Sequence, residues 1–292
     1  YLNNSIPIMT LHLELLDRAA LKRKGLGLLL GVGQGSRFEP HLIILEYKGD
    51  PTSKERIALV GKGVTYDTGG LDIKLRSMKE MNTDMSGAAV VLGVIRAAAE
   101  LKLKKNILAV APVVENAVGT NSYKPGTILD SYLGKTVEIG NTDAEGRLAL
   151  ADAMAYVVKN YKPSRIVDFA TLTGSIVAAL GEDYAGLFST DKVADKILEA
   201  GDYVGEKVWR MPLPDDYNEL LKSKIADLNN IPSSNYGGAI TAALFLKNFV
   251  GETPWTHIDI AGTARGSKRK HYWPVYGTGF GVRLMLEWLR KH

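Results

Sequence analysis

The sequence predicts an α/β protein with a mostly parallel central sheet flanked by helices on both faces. Short apolar runs alternate with helical stretches of about 10 to 15 residues, the pattern of repeated β-α-β units. Asn106 to Val114 is a nearly continuous apolar run, as expected of a strand covered on both faces. Glycine-flanked segments rich in carboxylates fall just after predicted strands, the place where ligands bind to such sheets.

Taken in order, Leu11 to Arg23 carries apolar residues at helical spacing, with Lys22, Arg23 and Lys24 suited to a helix end and Gly25 as a stop. A helix is predicted there. Leu28 to Ser36 reads as a glycine-rich turn; it lacks the spacing of a phosphate cradle and precedes Pro40 and a strand. His41 to Tyr47 and Arg56 to Val60 are strands joined by turn residues Lys48-Gly49-Asp50-Pro51. Ser86 to Leu101 is an apolar helix, Val137 to Ile139 a short strand, and Gly146 to Asn160 an amphipathic helix ended before Pro163. Arg165 to Ala170 is the next strand. Pro212, Pro214 and Pro232 punctuate a loop-rich region, after which come a buried helix (Gly238 to Phe249), a strand (Thr256 to Ile260) and a terminal helix (Gly279 to Arg290). With no internal repeat and no clear boundary, residues 1–292 read as one domain.

Composition narrows the chemistry. A chain of 292 residues can bury a large core. The net charge of +4 comes from scattered Lys and Arg, so no nucleic-acid partner is expected. There is no cysteine, which excludes disulfides and thiolate ligands; any metal must use oxygen or nitrogen. No apolar run approaches the ~20 residues that span a bilayer, so no membrane partner is expected and a cytoplasmic location is. The first residue is Tyr, so the natural N-terminus is expected to lie outside this sequence.

Two windows carry the reactive side chains. Leu59 to Ala89 holds Lys62, Asp67, Lys74 and Asp84; Asn141 to Leu148 holds Asp143, Glu145 and Arg147. Singly, each has a plain explanation: Asp84 could cap the following helix, and Thr142 with Glu145 fits a capping box. Together they resist it, because carboxylates converging on one sheet edge repel unless cations neutralise them. Two divalent ions would do so, bridged at ~3.5 to 4 Å by shared carboxylates, and would also make water nucleophilic near neutral pH. Lys62, between Gly61 and Gly63, is either paired with a carboxylate or, if neutral, a ligand. Lys74 and Arg147 are either salt-bridge partners or cations placed to stabilise developing negative charge. Arg147 lies near a predicted helix N-terminus, where the dipole disfavours a cation, which points to a bound anion.

Asn141-Thr142-Asp143-Ala144-Glu145-Gly146-Arg147-Leu148 resembles the signature of the leucine aminopeptidase family, the cytosol aminopeptidases. Val60 to Gly70, Asp84 to Ala89, Ala170 to Gly174 and Gly277 to Arg283 resemble further blocks of that family, in its order. The resemblance covers the catalytic domain and implies that the family's smaller N-terminal domain is absent from this chain. It implies two divalent metals, zinc or manganese with magnesium or cobalt as other candidates. One site would use Asp67, Asp143 and Glu145; the other would use Lys62, Asp67, Asp84 and Glu145. It further implies Lys74 polarising the first peptide carbonyl, a bicarbonate at Arg147 acting as general base, and a pocket for the first side chain at Met81, Thr171, Leu172, Gly174 and Ala261. Leu172 and Gly174 would offer backbone groups to the substrate. Peptide substrates with leucine-like first residues, broad specificity and a homo-hexamer follow from the same likeness.

Two departures stand out. Leu75-Arg76-Ser77 lacks the proline expected after Lys74, and Arg265 to His271 is unusually basic, as a solvated loop, a lure for acidic peptides or a subunit contact. Two other functions compete: a DNA-binding regulator, since some bacterial relatives bind DNA besides cleaving peptides, and a dinuclear hydrolase of another ester class, such as a phosphatase.

Overall fold

The computed structural model describes residues 11–266, 268 and 272–292. Ser267, Arg269, Lys270 and His271 of the basic stretch lie outside the described residues. In the first part of the chain, β1 (Leu11–Leu16) leads into α1 (Arg18–Lys24), α2 (Gly27–Val32), β2 (His41–Lys48), β3 (Ile57–Gly61), β4 (Gly63–Asp67), α3 (Ser86–Glu100) and β5 (Asn106–Asn116). There follow β6 (Ile128–Asp130), β7 (Thr136–Glu138), α4 (Gly146–Tyr161), β8 (Arg165–Ala170), α5 (Gly174–Leu180), β9 (Ala185–Ser189), α6 (Ala194–Val204) and β10 (Val208–Arg210). The chain closes with β11 (Leu228–Asn229), α7 (Gly238–Lys247), β12 (Trp255–Asp259), the two-residue strands β13 (Arg265–Gly266) and β14 (Tyr276–Gly277), and α8 (Val282–Lys291).

Nine strands make the main sheet in the order β1-β2-β5-β3-β8-β12-β9-β10, with β4 also on β5. Its centre, β5-β3-β8-β12, is parallel. The strands β2 and β9 join this centre antiparallel, and β1 pairs antiparallel with β2. Alternation along the central strands feeds two cores. Ala58, Val60, Leu108 and Val110 pack with α2, α4 and α7 on one face; Ile57, Leu59, Ile107 and Ala109 pack with α3, α6 and α8 on the other. No helix of the described residues is long and apolar enough to cross a membrane.

Two local expectations are corrected. Leu11 to Leu16 is a strand, in register with β2 from Leu11 opposite Tyr47 to Leu16 opposite Leu42. The run Leu-His-Leu-Glu-Leu-Leu satisfies either period over so few residues, and pairing decides it. The helix begins only at Arg18, where Asp17 accepts the Ala20 N–H at 2.8 Å. The glycine-rich segment from Leu28 is not a turn, for Gly27–Val32 is helical with Leu28, Leu29 and Val32 buried. Its N-terminal donors are met from another helix: Asp152 of α4 accepts the Leu29 N–H at 3.0 Å through one oxygen and the Tyr132 N–H at 2.8 Å through the other. A cap 123 residues away leaves no local trace.

Asp152 is wholly buried and no ion pair reaches it among the described residues. Burial pushes its carboxyl up to about 7. The side chain is held by the backbone donors it satisfies, so its removal strands them. Asp152→Ala is expected to lower stability by about 2 to 4 kcal/mol, since buried unsatisfied donors cost about 1 to 3 kcal/mol each. Urea unfolding checks this; a change below about 0.5 kcal/mol, the range of ordinary surface substitutions, would contradict it.

Candidate metal centre

Close backbone packing assembles the site. The ladder is interrupted between β3 and β4 at Lys62, whose N–H donates to Phe169 O at 2.9 Å while its carbonyl accepts from Ala88 N at 2.8 Å. The start of α3 therefore lies against the ends of both β3 and β8. A Cβ at Gly61 would sit 2.2 Å from Gly87 O, and one at Gly87 2.0 Å from Phe169 O, so only glycine fits at either position. This contact brings Asp84, just ahead of α3, onto Lys62. A Cβ at Gly146 would meet Lys62 Cε at 2.3 Å, so the first residue of α4 must also be bare for the lysine to reach the cluster.

The carboxylates then converge. Asp67 at the end of β4, Asp143 and Glu145 can each offer an oxygen such that all three lie within 4.8 Å of one another. Asp67 Oδ1 accepts from Gly69 N at 2.9 Å and Asn116 Nδ2 at 2.8 Å, which aims Oδ2 at Lys74 Nζ, 2.8 Å away. Lys74 Nζ is also 2.5 Å from Asp143 Oδ1. Lys62 Nζ lies 2.7 Å from Asp84 Oδ2 and 2.8 Å from Glu145 Oε1, and donates to Thr171 O at 3.0 Å. Despite these close ammonium groups, Asp84 Oδ2, Asp143 Oδ1 and both Glu145 oxygens are buried without a well-aligned hydrogen bond. Oxygen lone pairs left over in a buried cluster suit hard divalent cations.

The capping explanations fail on geometry. Met85, not Asp84, is the N-cap of α3, and Glu145 itself is the N-cap of α4 without a side-chain bond. Thr142 Oγ1 instead donates to Gly69 O at 2.6 Å and accepts from Asp72 N at 2.8 Å, while Thr142 N donates to Asp72 Oδ2 at 2.7 Å. These bonds lock the two reactive windows together. Asn116 strengthens the lock, donating to both Asp67 Oδ1 and, at 3.0 Å, Thr142 O.

Burial dominates the electrostatics. It raises Asp84 well above the usual carboxylate range; Glu145 and Asp67 add to the rise and Lys62 opposes it. Burial, then the charge of Asp67, likewise raises Glu145. Asp143 is pushed up to about 7 by burial, opposed by its bond to Lys74. Burial works against the ammonium of Lys62, but Asp84, Glu145 and Asp67 outweigh it and hold the amine above its ordinary value. Lys74 behaves likewise, burial being outweighed by Asp67 and Asp143. Both lysines thus occupy positions where positive charge is demanded, so a neutral Lys62 requires added cationic charge nearby.

Arg147 stands in the first turn of α4, buried; its Nη1 donates to Asn230 O at 2.8 Å and its Nε has no partner. Burial pulls its guanidinium down to about 10. Thr171 Oγ1 donates to Asp84 Oδ1 at 2.8 Å. Half-buried Met81 lies in the 3-10 turn Met78–Thr83 that leads into Asp84, and its carbonyl accepts from Asp84 N at 3.3 Å. Leu172 and Ala261 share one acceptor, their N–H groups donating to Asp259 Oδ1 at 3.1 and 3.2 Å. The Leu172 N–H is therefore committed within the protein. At Gly174 a Cβ would meet nothing within 4 Å, so the space beside it is open. Sequence reasoning missed Asn116, Asn230 and Asp259, all buried. Asn116 ends the long apolar strand and Asp259 ends β12, so a polar residue closing a buried run was the available signal.

Comparison with known proteins identifies the family. The description of the cytosol aminopeptidase family's catalytic domain matches residues 4–286. A probable cytosol aminopeptidase of Protochlamydia amoebophila is 51% identical over 278 residues, 94% of this chain and 56% of the relative. One from Chlamydia trachomatis serovar L2 is 49% identical over 286 residues, 97% and 57% of the two chains. One from Cenarchaeum symbiosum is 50% identical over 280 residues, 94% and 57%. The chain thus spans a little over half the length of these relatives. At half-identity across nearly its whole length, it belongs to the cytosol aminopeptidase family.

Proposed function

We propose that this chain carries the catalytic centre of a dinuclear-metal aminopeptidase, which removes the N-terminal residue from peptides and favours leucine-like side chains with broad tolerance. The convergence of Asp67, Asp143 and Glu145 within 4.8 Å, in a member of this family, carries the reading. Asp67, Asp143 and Glu145 would hold one ion, and Lys62, Asp67, Asp84 and Glu145 the other, with zinc or manganese as the first candidates. When bound, such a pair supplies Lewis acidity and brings the pKa of water to near neutrality.

The remaining work falls to the chain's own groups. Asp84, anchored by Thr171, would orient the substrate's α-amine. That requirement for a free terminus restricts cleavage to one residue at a time. Lys74, partly accessible at 17%, can donate to the carbonyl oxygen as negative charge develops there. The unpartnered Nε of buried Arg147 supports a bound anion such as bicarbonate, which would accept a proton from the attacking water. Met81, Thr171, Leu172, Gly174 and Ala261 would shape the pocket for the first side chain, in a cytoplasmic homo-hexamer acting on peptides.

Hydrolysis of Leu-p-nitroanilide after chelation and re-addition of Mn²⁺ or Zn²⁺ tests the reading. Metal-restored cleavage supports it; faster turnover of p-nitrophenyl phosphate would overturn it. Glu145→Ala should lower kcat/KM by more than the roughly 100-fold that losing an outer partner of a metal ligand costs, with the circular dichroism spectrum unchanged. Retained metal-dependent turnover would remove Glu145 from the ligand set. Because Asp143 is raised to about 7, its proton must leave before an ion binds, so metal affinity should fall as pH drops below that value. Each displaced proton contributes about tenfold per pH unit. Titration calorimetry at pH 8 and pH 6 reads this directly; equal affinities would contradict it.

A further inference from the structure

Behind the carboxylate cluster lies a second buried polar group that the proposed chemistry does not use. His257 of β12 is fully buried, and its Nδ1 is 2.6 Å from Asp168 Oδ1 on β8, the residue opposite it in register. The other oxygen of Asp168 accepts the Trp255 indole N–H at 2.7 Å. The imidazole is stacked near Phe188 of β9 and Trp255, with ring centroids at 5.8 and 6.2 Å. Its Nε2 is buried without a partner.

Asp259 lies two residues further along β12, on the same face and roughly 7 Å on. It too is buried, and no Lys or Arg forms an ion pair with it or with Asp168 among the described residues. Its oxygens accept Leu172 N at 3.1 Å, Ala261 N at 3.2 Å and Thr173 Oγ1 at 2.7 Å. Asp259 therefore ties the loop after β8 to the loop after β12, the two segments that would line the pocket for the first side chain. Burial raises its carboxyl, and each of these three bonds works against that rise by favouring the ionised form. We infer that the Asp168–His257 pair is a positioning unit for Asp259, and through Asp259 for the Thr171–Gly174 loop.

The charges facing the imidazole are Asp168 from β8, Asp259 on its own strand and Arg147 from α4; burial and Arg147 disfavour its protonation, while the two carboxylates and the bond to Asp168 outweigh them. The imidazole is thus flanked by two buried carboxyl groups, Asp168 across the sheet and Asp259 along its own strand. In turn its charge opposes the burial that raises Asp259. The link from this loop to a substrate pocket rests on the aminopeptidase reading; the link from His257 to the loop does not.

The test is hydrogen exchange followed by mass spectrometry on substrate-free wild type, His257→Phe and Asp168→Asn. Both substitutions disrupt the Asp168–His257 pair, and both should speed exchange at Leu172 and Ala261 by about tenfold or more while leaving α3 and β5 protected. Unchanged exchange at these amides, or a uniform rise across the chain, would overturn the inference. Where the enzyme cleaves amino-acid p-nitroanilides, the kcat/KM ratio of leucine to alanine should fall by about tenfold in both variants. A wild type that cleaves neither substrate defeats the aminopeptidase reading and leaves the exchange result to decide this one. If neither variant folds, the ring ¹⁵N shifts of wild-type His257 at pH 7 decide: an imidazolium supports the positioning role, and a neutral ring overturns it.

Discussion

Like charge packed where water is scarce is the constraint on which this structure depends. Asp67, Asp84 and Glu145 are at most 4% exposed, and Asp143 joins them at the mouth. Two carboxylates about 4 Å apart repel by about 4 kcal/mol at an effective dielectric of 20, so four cannot stay ionised without cations among them. Lys62 and Lys74 answer part of that demand. Their placement explains much of the surrounding architecture: the bare backbone at Gly61, Gly87 and Gly146, the short spacing between β3 and α3, and the lock that Asn116, Asp72 and Thr142 form between the two reactive windows.

The same constraint connects scaffold to chemistry. A parallel sheet with both faces covered delivers its loops to one edge and keeps that edge rigid, since β3, β5 and β8 are buried along most of their lengths. Raised carboxyl pKa values at Asp84, Asp143 and Glu145 mark ionisable groups confined at some energetic cost. Such cost is tolerated where function requires it. Divalent ions would relieve it and would lower the proton affinity of Lys62, turning an awkward cluster into a stable centre.

Much of this was legible in the sequence. The central strands and α3, α4, α7 and α8 follow from apolar period and from Gly and Pro boundaries, and the fold class followed from their alternation. The ionisable residues of the centre were legible because carboxylates beside glycines at strand ends have few purely structural uses in such number. What was hidden depends on distant partners. The β1 strand is decided by its pairing with β2, and α2 by a cap from Asp152. In the second half α5, β9, α6 and β10 went unforeseen, in chain that lacks the long apolar runs of the first half. Asn230 was invisible because its role lies in holding backbone groups far away in sequence, at Gly140 and Asn141; Asp259 left only the trace of a polar residue closing a buried strand.

The central claim is that the carboxylate cluster binds metal. Anomalous diffraction from crystals soaked in Mn²⁺ or Zn²⁺ tests it most directly. The account predicts two peaks about 3.5 to 4 Å apart, both within ligand distance of Asp67 and Glu145. Crystals that show no peak between these side chains at saturating metal would contradict it, leaving Lys62 and Lys74 as the cluster's sole cations and the carboxylates as structural.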